Sequence, residues 1–212
     1  MALLATRGGG DFQIAPQGQF AAICCQVLDL GHHFSEKYGK WSHKIRIVWE
    51  LHGENQIGDG VALTEDGKPM SLGAEYTLSL SDNSNLRPFL EGWRGRPFTA
   101  EEEAGFDVSK LLGVPCMLTI QHAKSADGSK TYANPVSASP LLKSLQKPTQ
   151  HNPSLLFELD PWNQQAFEAL PDWLRERVKK SREYGERFGG NTPAPMAKPV
   201  TGDAPFDDEI PF

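Results

Sequence analysis

Residues 70–80 alternate between apolar and polar side chains without a break, and this pattern restricts the fold more than any other stretch. The apolar positions are Met70, Leu72, Ala74, Tyr76, Leu78 and Leu80. Because successive side chains of a strand point to opposite faces, a strict period of two predicts a half-buried antiparallel strand. The sheet that contains this strand is expected to bury a core on one face and meet water on the other.

Four further segments have the composition of strands. They are residues 20–30, 42–51, 114–122 and 131–138. In the second of these, alternation places Trp49 on the apolar face and both Lys44 and Arg46 on the opposite face. The pair Asp127-Gly128 is typical of a tight turn and predicts that the last two segments form a hairpin.

A short amphipathic helix is predicted between the third and fourth strands. Its apolar positions, spaced i, i+3, i+4 and i+7, are Leu86, Phe89, Leu90 and Trp93. Ser84 is the expected N-cap. Thr99 and Glu102 fit a capping box, so the acids at 101–103 are interpreted as the start of a second helix rather than a catalytic or metal-binding cluster.

The resulting order is strand, aromatic and basic loop (residues 32–41), strand, strand, helix, strand, strand. This is the element order of an OB-fold, a five-stranded Greek-key barrel with a helix between strands three and four. The predicted fold class is therefore mainly β, with an OB-fold over residues 19–140. Residues 1–18 contain three consecutive glycines and are predicted to form a flexible arm.

The composition changes after Pro140, where prolines interrupt the chain repeatedly. Asp160 and Pro161 are predicted to be the N-cap and first residue of one helix. A second helix is predicted to begin near Leu170 and to run towards Tyr184. Residues 141–188 are thus expected to be a helical extension. Residues 189–212, rich in Pro, Ala and Gly, are expected to be a disordered acidic tail.

The net charge of −6 limits how the chain could bind a polyanion. The tail holds one lysine against four acids, a charge of −3, which leaves −3 for the rest of the chain. Since Lys and Arg normally supply most of the affinity for phosphates, any DNA site must be a local basic groove.

The sequence contains no long apolar segment, and the opening residues 1–5 are too short for a signal peptide, so a cytoplasmic location is expected. There are three cysteines, an odd number. Cys24 and Cys25 point to opposite faces of a predicted strand and suit neither a disulfide nor a chelate. They are interpreted as small buried hydrophobic residues.

The motifs of common enzymes are missing from the sequence. It contains no nucleophile elbow, phosphate-binding GxxxxGK[ST], HExxH or paired CxxC. His32 and His33 could be imagined with Cys24 and Cys25 as a metal site, but their spacing matches no structural zinc pattern. The prediction is a protein that is not an enzyme and that has no cofactor and no metal.

OB-folds bind single strands with a basic groove and aromatic faces on which bases stack. The usual surface is the outer face of strands two and three together with the loops that join strands one to two and four to five. Trp49 and Tyr76 share an apolar strand face and are predicted to be core residues. The candidate DNA-binding residues are Tyr38, Lys40, Trp41, Lys44, Arg46, Lys124, Lys130 and Tyr132.

The chain ends with three acids, an apolar residue, a proline and a phenylalanine. These residues are Asp207, Asp208, Glu209, Ile210, Pro211 and Phe212. Proline keeps the segment extended, so the terminal ring and carboxylate are accessible to a basic pocket of another protein. The six residues are predicted to bind a partner. They closely resemble the acidic tip of bacterial and phage single-stranded-DNA-binding proteins.

A second resemblance lies in the middle of the chain. The segment Asn85-Leu-Arg-Pro-Phe-Leu-Glu-Gly-Trp-Arg-Gly-Arg-Pro-Phe98, followed by Gly105-Phe-Asp107 and by Leu112-Gly-Val-Pro-Cys-Met-Leu118, is similar to a family of small phage replication proteins that includes OB-fold single-stranded-DNA-binding proteins. The resemblance implies sequence-independent binding of single-stranded DNA in phage replication, recombination or repair. It also implies that the tip recruits replication or recombination proteins.

The resemblance does not extend to the whole chain. The bacterial proteins have a tetramerising domain of about half this length, and residues 161–188 match nothing in them, so the oligomeric state is not carried over. Two alternatives stay open at this point. One is a replisome adaptor that binds no DNA, and the other is a DNA-processing enzyme with an unrecognised site.

Overall fold

The computed structural model describes residues 13–53 and 62–189. Its six strands are β1 (Gly18–Ser35), β2 (Lys40–His52), β3 (Ser71–Thr77), β4 (Pro115–Lys124), β5 (Thr131–Ser139) and β6 (Leu155–Phe157). Its helices are α1 (Leu86–Arg94), α2 (Ala100–Glu103), α3 (Gln164–Glu168), α4 (Asp172–Lys179) and α5 (Arg182–Phe188), with a 3₁₀ turn at Val108–Leu111. The protein is mainly β, as predicted.

The strands form one sheet in the order β3-β2-β1-β4-β5, and all of these neighbours are antiparallel. β6 adds to β1 as a parallel strand at Gln26–Leu28, beyond the part of β1 that pairs with β4. The edge strands β3 and β5 approach within 8 Å between Cα atoms. No ladder joins these two edges in the described ranges, so the sheet is open and closure into a barrel stays a prediction.

The hairpin of β1 and β2 is longer than the sequence predicted. The stretch 32–41 was expected to be a loop, but most of it belongs to the two strands, and only Glu36 to Gly39 form the turn. Cross-strand ring pairs extend the ladder: His32 lies 4.5 Å from His43, and Phe34 lies 5.5 Å from Trp41, between ring centroids. Pairs of this kind stabilise antiparallel strands, which explains why the loop prediction was wrong.

β1 buries side chains on both of its faces. Phe20, Ala22 and Cys24 enter the main core, which the inner faces of the strands and α1 enclose. Register shifts follow Cys24 and Asp29. Leu28 and Leu30 lie on the other face, where they pack in a second core built from residues 155–188, named here the C-terminal unit. Both leucines are completely buried.

The helix between β3 and β4 is the one that the sequence predicted. Its four apolar residues are all buried. The N-cap of the helix is Asn85 rather than the predicted Ser84. The hydroxyl of Ser84 still accepts a hydrogen bond from the N–H of Leu86 (3.2 Å), one residue before the cap. Trp49 and Tyr76 are buried beside Phe89, which confirms their predicted core positions. Cys24, Cys25 and Cys116 are free and buried.

Two smaller features near α1 and the last hairpin also follow the sequence. The capping box of Thr99 and Glu102 is formed at the start of α2. The turn between β4 and β5 contains Gly128 with a φ of 72° and is stabilised by Asp127, which accepts the N–H of Ser129 at 3.0 Å. Both features contain hydrogen bonds between residues that are two or three positions apart, as local residue preferences predict.

The extension after Pro140 differs from its prediction in three places. It contributes a strand, β6, in addition to helices. Asp160 is not an N-cap: its peptide bond with Pro161 is cis, and α3 begins after Asn163, whose side chain accepts the N–H of Ala166 at 3.0 Å. The long helix expected towards Tyr184 is divided into α4 and α5, because Ser181 caps α5 by accepting the N–H of Tyr184 at 3.2 Å.

Within the ranges that the structure describes, no helix combines the length and the apolar character needed to cross a membrane.

Candidate nucleic-acid interface

The turn between β1 and β2 carries an aromatic ring between two lysines. The Nζ atoms of Lys37 and Lys40 lie 5.2 and 5.8 Å from the ring centroid of Tyr38. These distances allow cation–π attraction, and Tyr38 remains partly exposed. The turn thus places a ring suited to stacking beside charges suited to phosphates.

Trp41 lies on β2 rather than in the predicted loop, and Lys44 lies on β2 as predicted. The indole of Trp41 contacts Phe34, so part of its surface is already covered, and the residue is half-buried. The ammonium group of Lys44 donates a hydrogen bond to the hydroxyl of Thr77 on β3 (2.8 Å). By strand alternation Lys40, Lys44 and Arg46 share one face of β2.

Arg46 is packed more closely than a solvent-exposed cation. Its guanidinium carbon lies 4.8 Å from the ring centroid of Trp173 on α4. On the side of β3, a Cβ atom at Gly73 would come within 2.7 Å of its Nη2 atom, so glycine makes room for the guanidinium. Burial lowers the pKa of Arg46, and the nearby carboxylate of Glu75 opposes this effect. The guanidinium of Arg46 remains charged despite this lowering of its pKa, because arginine is not deprotonated in proteins.

A chain of hydrogen bonds connects α4 to the sheet beside Arg46. Arg177 reaches the carboxylate of Glu75 with Nη2 (3.2 Å) and the Nδ1 atom of His33 with Nη1 (3.2 Å). His33 in turn donates from Nε2 to the carbonyl of Leu30 (2.9 Å). Burial, together with the charge of Arg177, lowers the pKa of His33 to about 4, so its ring is neutral at pH 7.

Two further histidines of the hairpin are paired with carboxylates. His32 contacts Glu183 of α5, and Nε2 of His43 lies 2.7 Å from Asp29. The hydrogen bond to Asp29 raises the pKa of His43. Within the described ranges, no group of three or more His, Cys, Asp or Glu side chains is arranged to hold a metal ion.

The hairpin of β4 and β5 presents the remaining predicted residues. Lys124 and Lys130 are exposed on its two arms, and Tyr132 is half-buried on β5. Hydrogen bonds from Ser125 and Ser129 hold the pKa of Asp127 at about 2, so the turn carries one permanent negative charge between the lysines.

A cleft of about 410 Å³ opens where the edges of β3 and β5 face each other. Arg46 and Tyr132 both line it, and Trp173 and Ile14 complete its rim. The structure therefore brings together two of the eight predicted residues at this cleft. The lysines and aromatic residues of the two hairpin turns are not among its lining residues.

Trp173 lines the cleft but is absent from the candidate DNA-binding residues predicted from the sequence. Leu174 and Val178 of the same helix are buried, whereas Trp173 is 52% exposed. The spacing of these residues indicates the exposure of Trp173. Positions 174 and 178 are four residues apart and share a helix face, and position 173 lies off that face.

Comparison with protein-family models, with curated proteins and with solved structures finds no match for this chain. The predicted partner-binding tip, Asp207 to Phe212, lies outside the described residues.

Proposed function

We propose that this chain is a sequence-independent single-stranded-DNA-binding protein with an OB-fold, acting in phage DNA replication, recombination or repair. The strand order β3-β2-β1-β4-β5, with α1 between β3 and β4, supports the fold, because an OB-fold has the same neighbours and the same helix position. Closing the gap between β3 and β5 would complete the barrel.

The observation that carries the proposal is the cation-flanked ring of Tyr38 in the turn between β1 and β2. OB-folds bind single strands with this loop, with the loop joining strands four and five, and with the face of strands two and three. Here the second loop carries Lys124 and Lys130, and the face between carries Arg46. Aromatic rings on a basic path are the chemistry of sequence-tolerant stacking.

The proposal is tested by mixing the full-length protein with a labelled oligo-dT, or with a duplex of equal length, in the presence and absence of magnesium. We expect a shifted band with the single strand and an affinity that falls steeply with salt. Equal affinity for the duplex would contradict the assignment of the groove. The absence of any shift would favour the adaptor, and cleavage would favour a DNA-processing enzyme.

We also propose that the tip, Asp207 to Phe212, recruits a replication or recombination protein. Phe212→Ala keeps the acids and removes the ring, so partner binding should be lost while DNA affinity stays near that of the parent protein. Deleting all six residues should in addition raise DNA affinity at low salt, since the acids compete with phosphates. A Phe212→Ala protein that retains every partner would remove this role for the tip.

A further inference from the structure

The side chain of Trp173 stacks on a cation although half of its surface is exposed. One face of the indole covers the guanidinium of Arg46 at 4.8 Å, and Arg46 is itself packed against Gly73. A tryptophan on a helix surface is normally free to change rotamer, but contact with an ordered cation restricts it. Trp173 also lines the cleft between β3 and β5.

The cleft suits a flat ring with polar edges. Its volume of about 410 Å³ falls within the range of about 300–1,000 Å³ that is usual for small-ligand sites. Tyr132 and Leu72 contribute aromatic and apolar surface, and Ser71 and Asn134 contribute polar groups. Purines and pyrimidines combine a π-face with hydrogen-bonding edges, so this lining matches a nucleobase.

The charges at the cleft are compatible with an anionic strand. Arg46 and Glu75 are the two charged residues among those that line it. The carboxylate of Glu75 is paired with Arg177, whose Nη2 atom lies 3.2 Å away. The positive charge of Arg177 offsets the negative charge of Glu75. The guanidinium of Arg46, which stacks on the indole of Trp173, therefore leaves a positive charge at the cleft.

We propose that Trp173 stacks on a nucleobase of single-stranded DNA that enters the cleft, and that the C-terminal unit is therefore part of the DNA-binding surface. This inference rests on the proposed function. It assigns a contact to α4, which lies outside the five-stranded sheet and its loops. Arg46 acts from below by holding the indole in place, and its charge also attracts the strand.

The test compares three full-length variants by fluorescence anisotropy with labelled oligo-dT. Trp173→Ala should weaken binding by about 5- to 150-fold, the range for losing one base stack. Trp173→Phe, which keeps a ring, should recover part of the affinity. Phe188→Ala is the matched control, because Phe188 is an aromatic residue of the same unit with a similar exposure of 49%, and it should bind like the parent.

A second measurement does not depend on any variant. Oligo-dT with one 5-iodouracil base is irradiated in complex with the parent protein, and the cross-linked peptide is mapped by mass spectrometry. A cross-link at Trp173 supports the proposal. If the parent binds DNA but Trp173→Ala binds equally well or more tightly, and no cross-link maps to Trp173, the inference is overturned while the proposed function stands. If the parent protein binds no oligonucleotide, both the inference and the proposed function are contradicted.

Discussion

The carboxylate of Glu183 accepts a hydrogen bond from the backbone N–H of His32 at 2.8 Å, although the two residues are 151 positions apart in the sequence. This bond holds α5 against β1. Gly31, the preceding residue, has a φ of 78° and lies in close contact with the same helix. The docking of the C-terminal unit on the sheet therefore depends on a glycine at this position.

Gly31→Ala should destabilise the protein by about 2–5 kcal/mol, the sum of left-handed backbone strain and overpacking. The added Cβ atom would lie 2.7 Å from both Leu159 and Ser181. Urea unfolding measures the loss. Gly113→Ala is the control, because Gly113 has a φ of 72° but no atom within 4 Å of the added carbon. It should lose only about 1–2 kcal/mol, and an equal loss in both variants would contradict the role of close packing.

Glu50 ties the segment after Pro140 to β2. The carboxylate is fully buried and accepts hydrogen bonds from the N–H groups of His151 (2.7 Å) and Asn152 (2.6 Å). Glu50→Gln turns an amide donor towards these donors, so we expect a loss of about 2–4 kcal/mol in unfolding free energy at pH 7. Glu158→Gln, at an exposed site, should change it by less than about 0.5 kcal/mol.

From the same carboxylate we also predict that the stability of the protein depends on pH below 4.5, which is the ordinary pKa of a glutamate. Burial acts to raise the pKa of Glu50, but the hydrogen bonds from His151 and Asn152 outweigh it and hold the pKa below that value. Because the pKa of Glu50 is lower in the folded state than in the unfolded state, the ionised carboxylate stabilises the fold above pH 4.5. This stabilisation is lost as the pH falls through the folded pKa. In Glu50→Gln this contribution is missing, so its urea midpoint should fall less than that of the parent between pH 5 and pH 3.

From His33 we predict a second dependence of stability on pH, at higher pH than that from Glu50. Its folded pKa of about 4 lies below the ordinary value of 6.5, so the unfolded chain binds more protons in this window and stability falls as the pH drops through it. The slope from this residue is at most about 1.4 kcal/mol for each pH unit. His43 acts in the opposite direction, because its raised pKa adds stability that is lost as the pH increases.

His33→Gln isolates the first of these effects. Urea midpoints of the variant should depend less on pH between 6.5 and 4.5 than those of the parent. An unchanged slope would mean that protonation of His33 is not coupled to folding.

With Lys124 and Lys130, the contribution of positive charge to DNA binding can be tested without a change in folding. Replacing both with alanine should flatten the slope of log K against log salt for oligo-dT by up to about 1.4, or about 0.7 for each phosphate that a lysine no longer neutralises. Unfolding free energy should change by less than about 0.5 kcal/mol, because both side chains are exposed. Lys143→Ala with Lys147→Ala is the matched control at two other exposed lysines, and an equal slope in both double variants would remove the hairpin from the site.

The features that depend on local periodicity could be predicted from the sequence. The four apolar residues of α1 and the buried positions of Trp49 and Tyr76 follow from spacing alone. A helix face or strand face is set by neighbouring residues, and so it can be read without knowing the partner. The capping box at Thr99 is local in the same sense.

The features that were missed depend on interactions between distant segments. The ladder beyond Gly31 is completed by His43 and Trp41 across the hairpin. β6 pairs with β1 at Gln26–Leu28, beyond the part of β1 that pairs with β4. The stack of Trp173 on Arg46 joins α4 to β2. No pattern within a single segment carries this information, since each of these contacts joins two different segments of the chain.

The burial of both faces of β1 limits how the chain can be divided. A fragment that ends near Pro140 would leave Leu28 and Leu30 in water, at a cost of about 1.5–3 kcal/mol for each side chain. It would also uncover the edge at Gln26–Leu28, where unpaired backbone groups recruit strands from other molecules. We therefore expect such a fragment to aggregate more readily than the whole chain.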